Sequence, residues 1–102
     1  MPRFDIYRNP NPGASHALFL DVQSDLVSTA TRWCIPLLQA RPGEPMVSRA
    51  QGLLRVVQVS YLVDTPNLLS VPASLLRQPV AHLSPQDQAM AEASIEFMLR
   101  GY

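Results

Sequence analysis

The sequence predicts a mainly β (α+β) fold, in which a small antiparallel sheet or barrel is followed by one C-terminal helix. Its 102 residues suffice for a single domain, residues 1–102, with one modest core. Ten prolines and four glycines interrupt the chain at short intervals, which favours short strands and turns. Residues 84–100 have the start signal and composition of a helix, so residues 1–83 are expected to be β-rich.

The first strands follow from apolar residues at alternating positions. Residues 4–8 alternate, and residues 17–27 give the clearest strand pattern. The positions of that second segment that should face the core are Leu18, Leu20, Val22, Ser24 and Leu26. Residues 31–38 form another apolar segment, in which Pro36 cannot donate to a ladder. This proline predicts an edge strand, a bulge or a strand end.

The second half of the chain continues the β pattern. Residues 53–63 are β-rich, and residues 64–67 carry a turn signal. Residues 68–71 form a short strand that Pro72 closes, whereas residues 75–83 are expected to be irregular because Pro79 excludes a helix interior.

The helix has recognisable signals at both ends. Ser84 suits the N-cap, Pro85 the first helical position and Asp87 the positive end of the helix dipole. Gly101 follows Arg100 as a plausible stop. We therefore expect the helix to cover about residues 84–100.

The apolar surface of this helix is wider than one contact requires. Its polar stripe is narrow and consists of Glu92, Glu96 and Arg100, with a favourable Glu96–Arg100 spacing. A helix that rests on one face of a sheet needs an apolar stripe of only about 100°. Either deeper burial within the monomer or a second copy of the chain would cover the remainder. Because so small a chain has little of its own to cover both faces, we expect a homodimer.

Composition excludes several classes of protein. Hydrophobic residues make up 47% and charged residues 16%, which is typical of a globular chain. Eight arginines balance eight acidic residues without any block of like charge, which argues against electrostatic capture of nucleic acid or membrane. There is neither a membrane-length apolar run nor a secretory signal. A cytoplasmic protein with a reduced thiol is the simplest interpretation.

The candidate catalytic and metal-binding groups are weak. Cys34 stands alone in an apolar strand, far in sequence from His16 and His82, so no metal or other cofactor is expected. Asp21 and Asp25 lie on one face of the predicted strand, but about 13 Å apart, too far to share a proton or an ion. We interpret them as solvated or turn-capping carboxylates. Trp33 fits the core better than an interface.

The end of the sequence suits a protein contact. Leu99, Arg100, Gly101 and Tyr102 bring an apolar group, a cation and an aromatic ring together directly after an apolar helix. Arginine and tyrosine are common in the residues that dominate binding at protein interfaces.

Taken together, the sequence resembles the CcdB family of toxins. The block at residues 21–26, Asp-Val-Gln-Ser-Asp-Leu, is its most specific part. The other colinear segments are Phe4 and Tyr7, residues 35–37, residues 47–49, residues 70–72, residues 80–84 and Gly101. Order and spacing match across essentially the whole chain.

The resemblance implies a small SH3-like β-barrel with a C-terminal helix, assembled as a homodimer. Proteins of this family bind the A subunit of DNA gyrase and trap its complex with cleaved DNA, without catalytic groups of their own. A CcdA antitoxin neutralises the toxin through a flexible C-terminal segment, and the complex represses its own operon. Operator DNA is therefore contacted only through the antitoxin complex. The loop at residues 40–48 is a candidate antitoxin contact, from its exposed composition and the resemblance.

Matching sequence and position give the candidate gyrase-binding residues. They are Ser24, Leu26, Glu96, Leu99, Arg100, Gly101 and Tyr102. The best-known members end in Trp-Gly-Ile, and of these only Gly101 is kept here. Glu96 also replaces the usual amide side chain. Arg100 can stack or donate hydrogen bonds, but it does not reproduce the apolar burial of an indole.

Two alternatives follow. In the first, the protein poisons the gyrase of its own host through a contact adapted to that gyrase. In the second, it has kept the fold and antitoxin binding but lost gyrase poisoning. A third possibility is an endoribonuclease toxin of the MazF/Kid type, which shares the barrel. That activity needs a basic cleft with an acid–base pair, which a chain of zero net charge does not favour.

Overall fold

The computed structural model describes residues 2–40 and 50–101. Seven strands and one α-helix account for most of these residues, and two short 3-10 helices join the later strands. The strands are β1 (Asp5–Arg8), β2 (Leu18–Asp21), β3 (Thr31–Gln39), β4 (Gln51–Val56), β5 (Val59–Asp64), β6 (Leu69–Pro72) and β7 (Pro79–His82). The 3-10 helices are Thr65–Asn67 and Ala73–Leu75, and helix α1 is Pro85–Arg100.

The strands form one curled antiparallel sheet in the order β4-β5-β3-β2-β1-β7, with β6 paired to β3. The curled sheet is a half-barrel that fits a small SH3-like barrel, and α1 follows it. The predicted fold class is therefore confirmed. Twelve buried residues fill the concave side, among them Ile6, Leu20, Ile35 and Leu37.

The prediction that Pro36 marks an edge strand, a bulge or a strand end is wrong. Strand β3 is central, and it pairs with β2 along one side. Its other side pairs first with β6, as far as Cys34, and then with β5 from Leu37 onwards. Pro36 lies between these two pairings, where the missing N–H costs no ladder bond on that side.

The predicted strand at residues 17–27 is too long. Strand β2 ends at Asp21, and the chain turns. The Asp21 carboxylate accepts the Gln23 backbone N–H at 3.1 Å, and the Gln23 amide donates to the Val27 carbonyl at 2.8 Å. These side chains bond the backbone locally instead of leaving it to a ladder. Ser24 and Leu26 are therefore exposed and do not face the core.

The β-rich residues 53–63 are a hairpin rather than one strand. Val57 and Gln58 have φ values of 47° and 67°, the positive values that a tight two-residue turn requires at both positions. The alternating pattern missed this turn because valine is an unfavourable residue there. Residues 79–82, expected to be irregular, form β7 on the edge of β1.

The signals at both ends of the helix are confirmed. The Ser84 hydroxyl accepts the Asp87 backbone N–H at 3.2 Å, and Gly101 ends the helix with a φ of 79°. The helix packs on β4, where a Cβ on Gly52 would lie 2.5 Å from the Met90 sulfur. Within α1 only Ala91 and Ser94 are fully buried. None of the described residues form a helix long and apolar enough to cross a membrane.

Candidate functional site

An apolar groove lies between the turn at residues 22–29 and the C-terminal end of α1. It has a volume of about 630 Å³. Its apolar walls come from Val22, Val27, Trp33, Leu68, Met98 and Leu99. Contiguous exposed apolar surface on a small protein commonly marks a binding site. The groove is therefore the candidate site for a partner.

Trp33 corrects an expectation, because its side chain is exposed rather than part of the core. Alternation along β3 puts Trp33 on the same face as Ile35 and Leu37, which are buried in the core. Trp33 lies nearer the start of the strand, where that face borders the groove. The alternating pattern does not show where along this face the core ends. A tryptophan left in water beside an apolar groove is typical of an interface anchor.

A buried ion pair lies behind the turn that forms one wall of the groove. The Arg32 guanidinium donates to the Asp21 carboxylate twice, from Nε at 2.8 Å and from Nη2 at 3.0 Å. Asp21 is 0% exposed, and Arg32 is almost as deeply buried. The same Nη2 donates to the Gln23 carbonyl at 3.2 Å. One guanidinium thus fixes both the end of β2 and the start of the turn.

Asp25 also reaches this guanidinium, since its carboxylate lies 3.5 Å from Arg32 Nη2. The expectation that Asp21 and Asp25 lie about 13 Å apart on an extended strand is therefore wrong. The chain turns after Asp21, and both carboxylates converge on one cation. Burial opposes the charge of Arg32, but its hydrogen bond to Asp21 and the two carboxylate charges outweigh that and raise its pKa.

Gln23 holds the turn from inside. Its amide nitrogen donates to the Val27 carbonyl at 2.8 Å and to the Thr29 hydroxyl at 3.2 Å. Its amide oxygen accepts the Trp33 backbone N–H at 3.0 Å. Because the amide bonds both the turn and β3, it fixes the wall that carries Val27 against the strand that carries Trp33.

Arg3 joins the turn to the helix on another side of the groove. Its Nε donates to the Val22 carbonyl at 2.8 Å, and its Nη1 lies 3.4 Å from a Glu92 carboxylate oxygen on α1. The guanidinium carbon stacks 4.4 Å from the centre of the Phe4 ring. On the groove wall, the buried Thr65 hydroxyl has no hydrogen-bond partner within the described residues.

The structure brings together only part of the predicted site. Ser24 and Leu99 line the groove, and Leu26 projects from the turn with 96% of its surface exposed. Glu96 pairs with Arg100 at 3.0 Å along the helix, which confirms that spacing. Tyr102 and residues 41–49 lie outside the described part of the chain, and these include most of the candidate antitoxin loop at residues 40–48.

Sequence reasoning missed several residues of the site. Trp33, Val27 and Met98 line the groove, and Arg32 fixes the turn. The signal for Arg32 was a charged residue inside an apolar segment, where burial requires a carboxylate partner.

The remaining titratable groups do not form a metal centre within residues 2–40 and 50–101. The His82 ring contacts the Asp5 carboxylate at 2.7 Å, so this histidine has a partner on β1. Cys34 is buried, and burial together with the charge of Asp21 raises its pKa to about 12. A thiol with that pKa is a poor nucleophile at neutral pH.

The half-barrel, the single terminal helix and the open groove beside its end define a small SH3-like barrel protein. The family model described as CcdB protein matches residues 3–101. The chain therefore belongs to the CcdB family, and this membership supports a toxin of a toxin–antitoxin system. Toxins of this family are not catalytic enzymes.

A solved structure has the same fold. It is described as an endoribonuclease in complex with its cognate antitoxin from Mycobacterial species. The alignment covers 97% of this chain and 95% of that one, with a TM-score of 0.77 and 13% sequence identity. At that identity, the likeness concerns the fold alone.

Proposed function

We propose that this protein is a gyrase poison. It binds the A subunit of DNA gyrase and traps the complex of gyrase with cleaved DNA, without catalytic groups of its own. Membership of the CcdB family supports this proposal. The observation that carries it is the exposed apolar surface at the end of α1, where Leu99 projects beside the groove.

The proposed contact combines two elements. Leu99 and Arg100 come from the last turn of α1, while Ser24 and Leu26 come from the turn after β2. Full burial of a leucine side chain is worth about 2 kcal/mol, so Leu26 and Leu99 offer a partner more than any exposed polar contact nearby. Arg100 takes the place of the family's terminal indole and would serve by stacking or hydrogen bonding.

We propose a homodimer as the active form. Val27, Trp33 and Met98 leave much apolar surface in water, and a second copy of the chain is the partner always present at equal concentration. A two-fold axis through the groove would bring two helix ends side by side. The pair would then act as a wedge between the two gyrase arms.

We propose a CcdA-like antitoxin as the second partner. The solved structure of the same fold holds a toxin with its cognate antitoxin, which supports this class of partner. A flexible antitoxin segment would cover apolar toxin surface, and binding would expel gyrase from any part they share. Operator DNA would be contacted through the antitoxin complex.

The test is a gyrase cleavage assay. Purified protein is incubated with gyrase, ATP and supercoiled plasmid, the complexes are denatured, and linear DNA is quantified. The matched control is the chain without residues 100–102. We expect linear DNA with the full chain and little with the truncated one. A folded full-length chain that yields no linear DNA would contradict the proposal.

An RNA cleavage screen on the same samples distinguishes the alternative activity. The endoribonuclease of the same fold makes RNA the other substrate to examine. Metal-free cleavage with a defined sequence preference would replace the gyrase proposal. Absence of both activities, in a protein that still binds antitoxin, would indicate a chain that has lost gyrase poisoning.

The replacement of the family's tryptophan by Arg100 can be tested separately. If the protein is inactive on a test gyrase, Arg100→Trp restores the family's indole at that position. Recovery of linear DNA would locate the defect in this one contact. Continued inactivity in the folded variant would place the defect elsewhere in the interface.

A further inference from the structure

Within the described residues, some arginines have an ion-pair partner and others have none. Arg3 pairs with Glu92, Arg32 with Asp21 and Asp25, and Arg100 with Glu96. By contrast, the guanidinium groups of Arg8, Arg55 and Arg77 form no ion pair or side-chain hydrogen bond within the described residues. Of these three arginines, Arg8 and Arg77 line the same surface pocket.

The fold brings these two arginines to the same cavity. Arg8 is the last residue of β1, and Arg77 comes two residues before β7. Tyr7 pairs with Pro79, so the register places the end of β1 against the segment that enters β7. The resulting cavity of about 370 Å³ is lined by Arg8, Arg77, Gln78, Pro10 and Leu75.

The lining of this cavity fits an anion. It contains two cations and the amide of Gln78, and no carboxylate. Two like charges on one cavity raise each other's electrostatic energy, and an anion between them turns that repulsion into two attractions.

The number of donors favours phosphate over carboxylate. Elsewhere in this protein one arginine is enough for a carboxylate, since Asp21 accepts from both Nε and Nη2 of Arg32. A carboxylate that already accepts two bonds from one arginine offers fewer acceptor positions to a second arginine. A tetrahedral phosphate group presents more oxygen atoms in different directions, so it can accept from two guanidinium forks at once.

We propose that Arg8, Arg77 and Gln78 form a phosphate-binding pocket. Its ligand is a phosphate group, supplied either by a free phosphate compound or by the phosphodiester backbone of a nucleic acid. The pocket lies at the far end of β1 from Arg3, which lines the apolar groove. It is therefore separate from the proposed gyrase contact and does not depend on it.

The experiment follows the arginine Nε–H signals by NMR at constant ionic strength. Inorganic phosphate and a thymidine dinucleotide, which carries one phosphodiester, are titrated separately into the full-length protein. We expect saturable shifts of the Arg8 and Arg77 signals. Tighter binding of the dinucleotide would assign the pocket to nucleic acid, and tighter binding of phosphate would assign it to a free phosphate group. Acetate that binds as well as phosphate would overturn the proposal.

Matched variants separate the pocket from general charge. Arg8→Gln and Arg77→Gln each remove one charge from the pocket, whereas Arg55→Gln removes one from the solvent-facing side of β4. Phosphate binding should weaken about tenfold in the first two variants and stay unchanged in the third. Equal weakening in all three would overturn the proposal. The spectrum of each variant reports its folding, and gyrase cleavage by the pocket variants should match that of the original protein.

Discussion

At the scale of single residues, the buried carboxylate of Asp21 determines where β2 ends. It accepts two bonds from Arg32 and one from the Gln23 backbone, and the chain turns directly after it. The exposed turn that follows is thus fixed from inside by charge-assisted hydrogen bonds. Its outer residues, including Leu26, remain available to a partner.

Asp21→Asn should strongly destabilise the fold. The substitution keeps the shape of the side chain but leaves Arg32 with a buried, poorly compensated charge. We expect the free energy of unfolding in urea to fall by about 3–5 kcal/mol. Asp25→Asn is the matched control, because Asp25 is exposed, and it should cost about 1 kcal/mol or less. Equal losses in the two variants would contradict the role given to the buried pair.

The stability of the fold should fall at alkaline pH. Burial and the charge of Asp21 raise the pKa of Cys34 from 9.0 to about 12 in the folded protein, so the unfolded chain loses this proton first. The free energy of unfolding therefore decreases as the pH rises above about 9, with a limiting slope near 1.4 kcal/mol per pH unit from this group. Burial also raises the pKa of Tyr7, which adds to the decrease.

Urea unfolding at pH 8, 9, 10 and 10.5 measures this effect. Cys34→Ala removes the thiol, so its stability should decline less steeply above pH 9 than that of the original protein. The variant is expected to be less stable already at pH 8. The change in the free energy of unfolding is therefore taken, for each protein, from its own value at pH 8. Parallel slopes in the two proteins would rule out a contribution from Cys34.

At the scale of secondary-structure elements, local signals were sufficient for the helix and insufficient for β2. The start of α1 depends on Ser84 and on residues within one turn of it, all readable from the sequence. The end of β2 depends on Arg32, which is brought there by the pairing of β2 with β3. No pattern within residues 17–27 contains that partner, so the strand was predicted too long.

The N-cap of α1 can be tested by itself. Ser84→Ala removes the hydroxyl that accepts the Asp87 backbone N–H, and the free energy of unfolding should fall by about 1 kcal/mol. Ser84→Asp keeps an acceptor at the same place, so its stability should stay close to that of the original protein. Circular dichroism during thermal unfolding reports both. A Ser84→Ala variant as stable as the original protein would mean that the cap contributes nothing.

At the scale of the whole molecule, periodicity gave the fold class, and the surplus apolar surface of the helix gave the need for a partner. The structure places part of that surface, Met98 and Leu99, on the groove together with Trp33. The position of Trp33 could not be predicted, because alternation places it on the same face of β3 as the buried residues Ile35 and Leu37. Only the complete fold determines where along that face the core ends and the groove begins.

The proposed homodimer predicts a sedimentation mass of twice 11.3 kDa at micromolar concentration. Trp33→Ser should shift the mass towards the monomer, because Trp33 is 58% exposed and lines the groove. Leu53→Ser is the matched control, since Leu53 is 56% exposed and lies on β4, outside the groove. A monomer mass for the original protein would contradict the proposed dimer. Equal shifts in both variants would contradict the groove as its interface.

The most direct test of the central claim is the gyrase cleavage assay on two matched variants. Leu99, at the end of the helix, is 75% exposed, and Val57, in the β4–β5 turn, is 78% exposed. Both side chains offer apolar surface to water, but only Leu99 belongs to the proposed contact. We predict that Leu99→Ser reduces the linear DNA at least about tenfold, the loss of one well-buried contact, while Val57→Ser leaves it unchanged. Full activity in a folded Leu99→Ser variant would contradict a poison that acts through the helix end.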